Sequence, residues 1–139
     1  MYASDSEDRF PRATTWKYQL APYTKNDRIF HDTEGIQTGE YGYAFRERES
    51  GAKSTDIKNP DRLVLIFDSY LLGRNAHSEL WSIPQNGRHR LSSSETRIDN
   101  VAFADGHAKS VFVPVGEADV SAGASLGEVL LADDKSSRY

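Results

Sequence analysis

Histidine is the residue type best suited to acid–base or metal chemistry in this 139-residue chain, and there are four: His31, His77, His89 and His107. His107 follows directly on Asp105-Gly106, inside the stretch NVAFADGHAKSVF that runs from Asn100 to Phe112. If the segment holding His89 runs beside that stretch, His89, His107 and Asp105 make a set able to hold a transition metal such as zinc. Asp68, Asp99, Asn100 and Asp105 are oxygen ligands of the kind calcium takes. Neither set is tightly spaced: no two histidines stand i, i+4 apart, and H-E-x-x-H does not occur. The simpler expectation is no cofactor, with His89 orienting a loop by hydrogen bonding and His107 exposed on a strand. Calcium or zinc at Asp68, His89, Asp99, Asn100, Asp105 and His107 is the alternative.

Other chemistries find less support. Tyr43, Tyr70 and Trp81 can supply stacking surfaces for a sugar, though each reads equally well as a core or edge aromatic. Ser92, Ser93 and Ser94 lie near His89 in sequence, but no orienting acid or oxyanion donor is identifiable for a hydrolase. Neither G-x-S-x-G, a P-loop nor a Gly-rich dinucleotide fingerprint occurs, so the chain is not expected to be an enzyme. The 21 acidic and 17 basic residues are interspersed and sum to −4, with no basic stripe among aromatics, which argues against a nucleic-acid partner. With no cysteine there are no disulfides, no thiolate zinc sites and no thiol catalysis. No run approaches the roughly 18 apolar residues that span a bilayer, and no signal-like apolar region opens the sequence.

The elements that must position these residues are few. Asp-Gly between NVAFA and HAKSVF predicts a hairpin with a two-residue type I′ turn, since Gly accepts positive φ freely and Asp better than most. Val101 and Phe103 share one face before the turn, and Val111 and Val113 are candidates for the matching face after it. That geometry alone accounts for Asp105 and Gly106. Residues 63–67, Leu-Val-Leu-Ile-Phe, form an apolar run of strand length bounded by turn signals and are the best candidate for a central strand. EYGYAF is a weaker strand because of Gly42, and ELWSIP a short one. Trp16, Leu20 and Tyr23 stand at i, i+4, i+7 and predict one face of a short helix, with Thr14 or Thr15 as N-cap and Pro22 limiting its extension. The charge clusters SEDR and RERES are expected in solvent. Residues 129–132 read as a peripheral strand or short helix.

The order of these pieces resembles a known family. MYASDSEDRFP, a Trp-bearing helix ending in LAPYTKNDRIF, then YGYAF, NPDRLVLIFDS, GRH and NVAFADGHAKSV is similar to pilin-like proteins with the prepilin-type processing-associated H-X9-DG domain. These are relatives of type IV pilins and type II secretion pseudopilins. The resemblance covers residues 1–113, leaving 114–139 as a C-terminal extension of one domain. His89 with Asp105-Gly106 carries its namesake motif, but fifteen residues separate them, so RLSSSETR looks like a loop insertion. Where relatives often carry Cys-Pro, this chain has FHDTE, with His31 nearby.

The resemblance implies an α+β fold: a small antiparallel sheet with a short helix, forming a pilin-like globular headgroup. It implies a structural and interaction subunit in the cell envelope, periplasmic or extracellular, whose partners are other pilin-like subunits, itself included. Loops 36–59 and 73–96 are expected to face neighbours or cargo. A membrane enters only through the family's N-terminal helix, which is expected to be absent from this stretch, whether cut away, lost to an internal start or never present. Without that rod an apolar sheet face needs another cover, from the Trp16 helix, from residues 129–132 or from oligomerisation. The alternative is a metal- or glycan-binding module using the loops around His89 and Asp105.

Overall fold

The computed structural model describes residues 2–31, 41–84, 87, 89–90 and 97–113. In chain order its elements are α1 (Tyr2–Asp5), α2 (Trp16–Thr24), β1 (Tyr43–Arg46), β2 (Val64–Asp68), β3 (His77–Ser78), β4 (His89–Arg90), β5 (Arg97–Phe103) and β6 (Ala108–Val113). The C-terminal extension, residues 129–132 and the Ser92–Ser94 run lie outside the described residues. No helix among the described residues is long and apolar enough to cross a membrane.

The run expected as the central strand is central. β2 lies antiparallel between β1 and β5, and β6 pairs antiparallel with the other edge of β5. β4 continues where β2 stops: β5 meets β2 through Val101, Ala102 and Phe103, and β4 through Arg97 and Ile98. The domain is α+β with a mixed sheet of six strands, which corrects the purely antiparallel expectation, because β3 runs parallel to β1. The physical reason is the return path from β2. It brings Ala76 to the outer edge of β1, where its carbonyl accepts from the Phe45 N–H (2.9 Å) and from the Trp16 indole N–H (2.9 Å).

Both faces of this sheet are covered. One cluster joins Phe10, Ala13, Trp16, Phe30, Phe45, Leu63 and Leu65, and a second joins Ala44, Val64, Phe67, Leu80, Ile83 and Val101. Neighbours Ala44 and Phe45 fall into opposite clusters, as strand alternation requires. Val64 and Phe67 are three residues apart yet share a cluster, which simple alternation forbids. The register shift between Val64 and Ile66 resolves this: an extra residue in β2 resets the alternation, so one strand serves both faces. The Trp16 segment covers the face of the sheet that carries the first cluster. Trp16 is fully buried, edge-on to Phe30 at 5.5 Å and tilted against Phe45 at 6.0 Å.

Local chemistry departs from expectation at four places. Thr14 and Thr15 belong to a 3-10 turn ahead of α2, and Thr15, at the cap position, makes no side-chain cap bond. On the anticipated helix face Leu20 packs on the first cluster, whereas Tyr23 turns to the edge of Tyr2 and donates to Asp5 Oδ2 at 2.9 Å. Residues of ELWSIP form a 3-10 turn, Leu80–Ser82, rather than a strand, and its i, i+3 repeat drops Leu80 and Ile83 together into the second cluster. RERES is not a solvated run: Arg46 and Glu49 are fully buried, and Arg46 Nε donates to Glu79 Oε2 at 3.1 Å.

The hairpin turn is also longer than two residues. Phe103 N–H donates to His107 O (2.9 Å) and Gly106 N–H to Phe103 O (3.0 Å), which encloses a three-residue loop, Ala104-Asp105-Gly106. Only Gly106 has positive φ (94°), the pattern of a turn followed by a glycine bulge rather than type I′. A Cβ at Gly106 would meet nothing within 4 Å, so backbone strain alone sets its cost. Gly106→Ala is expected to destabilise the protein by about 1–2 kcal/mol in urea unfolding. Trp16→Phe, which removes the indole donor but leaves Ala76 its bond from Phe45, should cost about 1–3 kcal/mol in the same assay.

Candidate functional site

The residues singled out from sequence gather into two separate pairs. Asp68 ends β2 and His89 begins β4, so the two meet where one strand hands over to the other beside β5. Asp68 is fully buried, and its Oδ2 accepts from the backbone N–H of Asn100 at 2.6 Å. The carboxylate thereby supplies a ladder acceptor at the point where the β2 backbone ends. His89 Nε2 lies 3.0 Å from the same oxygen. The two form an ion pair once the imidazole is protonated. His89 thus orients its segment against the sheet.

Asp99 and Asn100 sit in the same stretch of β5 but point to opposite faces. Asp99 pairs in register with Val111 and is fully buried on the face of Val101. Asn100 faces the other way, where its Oδ1 accepts from Ser110 Oγ at 2.8 Å. Asp68, whose neighbour Phe67 lies on the Val101 face, shares the Asn100 side.

The second pair belongs to the hairpin corner. Asp105 Oδ1 accepts from the His107 backbone N–H (3.0 Å) and lies 2.5 Å from His107 Nδ1, while the imidazole stacks on Phe103 at 4.2 Å and 7°. The bond from the His107 backbone holds the Asp105 carboxyl below its usual range, and the imidazole adds to this. Asp105 and His107 are exposed and lie roughly 10 Å or more along β5 from Asn100, at about 3.3 Å per residue. Among the described residues no group of three His, Cys, Asp or Glu side chains stands close enough to hold a metal ion. Of the sugar-stacking candidates, Tyr43 packs half-buried on the first cluster and Tyr70 is exposed; the Trp81 side chain lies outside what is described.

A third constellation was not visible in the sequence. Lys17, on the first turn of α2, is 2% exposed and its Nζ has no hydrogen-bond partner among the described residues. The ammonium sits among aromatic faces instead, 4.1 Å from the Tyr41 ring centre, 4.8 Å from Trp16 and 5.7 Å from Phe30. Burial pushes its pKa down to about 7, opposed by Asp27 and reinforced by Arg74. At the rim, Asp27 Oδ2 receives His31 Nε2 (3.0 Å) and Tyr41 OH (3.2 Å), and Asp27 Oδ1 faces Arg74 at 3.7 Å. The His31 contact, with Tyr41 and Arg74 adding to it, holds the Asp27 carboxyl below its usual range. No local pattern marks this cluster, because a lysine beside a tryptophan reads as a solvent-facing residue and its ring partners lie far along the chain.

Compared with protein-family models, with curated proteins and with solved structures, the chain matches none.

The junction of β2 and β4 generates a direct test. Asp68→Ala strands the Asn100 N–H and removes the charge facing His89, and should cost about 2–4 kcal/mol in urea unfolding. His89→Gln should cost less. The double variant should deviate from the sum by about 1 kcal/mol, and simple additivity would show that the two side chains do not act together.

Proposed function

We propose that this chain is the globular headgroup of a pilin-like or pseudopilin-like subunit, a structural and interaction protein of an envelope-associated filament. One observation supports the reading most: the motif residues hold strands together. His89 lies against Asp68 at the strand handover, and Asp105 is engaged within its own turn. A headgroup needs its surface presented on a rigid sheet, and these contacts provide rigidity where a binding module would leave such side chains to a ligand. On this reading the partners are other pilin-like subunits, including copies of this chain, in a periplasmic or extracellular setting. Contact with them falls to the loops that flank the sheet.

The reading has a further support in how the sheet is covered. Phe10, Ala13, Trp16 and Phe30 close the first cluster from the N-terminal side. A rod preceding Met1 would then serve anchoring and filament packing, and the headgroup core would fold without it.

The coding sequence upstream of Met1 tests the proposal. An in-frame Gly-Phe-Thr-Leu-Ile-Glu-like segment, followed by about twenty apolar residues as a bilayer requires, is the expected result. An in-frame stop codon directly upstream would overturn it. Calorimetric titration with calcium and with zinc separates the competing metal-binding reading, since saturable heat abolished by His89→Ala or Asp105→Asn would favour that module.

A further inference from the structure

The amine of Lys17 is buried, and its Nζ has no hydrogen-bond partner among the described residues. Its three aromatic neighbours come from three segments: Trp16 from α2, Phe30 from the 3-10 turn Asp27–Phe30, and Tyr41 from the approach to β1. A change of charge on Nζ therefore acts where these segments meet. The aromatic faces favour the cation, each by about 0.5–2 kcal/mol. Loss of water opposes it more strongly, because no oxygen among the described residues replaces the hydration shell.

We propose that Lys17 is a proton-operated latch: its neutral amine locks α2 and the Asp27–Phe30 turn onto the sheet, and its protonation lets that layer open while the strands stay paired.

Among the described residues, the charged and titratable groups facing the latch are Asp27 and His31 beside the turn, Tyr41 before β1 and Arg74 before β3. Asp27 is the only anion among them, and its oxygens already serve His31, Tyr41 and Arg74, so its attraction for Lys17 is shared. Arg74 repels the ammonium. The sign follows from linkage. An opened layer returns Lys17 to water and to its ordinary value of 10.5, against about 7 when closed. Between those limits the open form binds the extra proton, so closure strengthens as pH rises and weakens as pH falls toward 7. Opening is local because the second cluster and the β2–β5–β6 ladder contain none of these residues. The layer that lifts would uncover Phe45 and Leu65 on the first face of the sheet.

Amide hydrogen exchange on the full chain, corrected for intrinsic exchange rates, tests the latch. The opening constant for α2 amides should be about tenfold larger at pH 6 than at pH 8, with β5 amides as the reference that does not share the change. Lys17→Met, which keeps the apolar stem without the charge, should abolish the ratio, and His31→Asn should leave it in place. Asp27→Asn keeps the test decisive if Lys17→Met folds poorly. Loss of its carboxylate disfavours the ammonium further and should enlarge the ratio. A pH-independent α2, a ratio that survives in Lys17→Met, a ratio lost in His31→Asn, or one not enlarged in Asp27→Asn would each overturn the proposal.

Discussion

The Ala76 carbonyl is the joint on which the rest of the structure depends. It accepts from the β1 backbone at Phe45 and from the indole of Trp16, so a single oxygen fixes the edge of the sheet and the position of α2. The preceding residue repeats the link, since Asn75 Oδ1 accepts from the Lys17 backbone N–H at 3.0 Å. A buried indole needs its N–H satisfied, and here that need determines where the 69–76 excursion returns. The parallel β1–β3 pairing follows from it. So does the closure of the first cluster, because Trp16 enters it from above while Phe45 enters from the sheet.

Polar groups inside the sheet serve a related purpose. β2 stops at Asp68, the chain leaves for some twenty residues and β4 resumes the same edge at His89. An interrupted strand leaves ladder groups without partners, and an unsatisfied buried N–H is costly. The Asp68 carboxylate accepts from Asn100 at that gap and places a negative charge beside the returning His89. Chemistry that would suit a ligand in an open cleft is engaged inside a strand handover. This is the physical ground for reading the domain as a scaffold that presents surfaces.

Lys17 differs from the polar groups of the strand handover, since its ammonium is faced by aromatic rings. A lysine is rarely buried without a partner, and here the unfavourable group is concentrated at the contact between the N-terminal layer and the sheet. The cost falls on that contact alone and depends on a proton. A domain whose strands are pinned by backbone ladders and carboxylate contacts can tolerate one layer of lower stability without loss of the whole.

Local pattern in the sequence determined the β2 strand, the hairpin and the α2 helix, because each is signalled by neighbours: an apolar run between turn residues, Asp-Gly between alternating strands, and aromatic residues at helical spacing. Glycine at position 106 and its positive φ were legible for the same reason. Tertiary structure decided what depended on distant partners. The parallel edge strand arose from the Trp16–Ala76 bond across sixty residues, and the buried Arg46 found its partner in Glu79, thirty-three residues on. Whether His89 meets Asp68 or Asp105 was set by the register of β4 on β5, which no spacing in the sequence encodes. The Lys17 cage was invisible for the most general reason: a side chain's local neighbours show its intrinsic chemistry, while its solvation, and hence its charge, is set by segments that only the fold brings together.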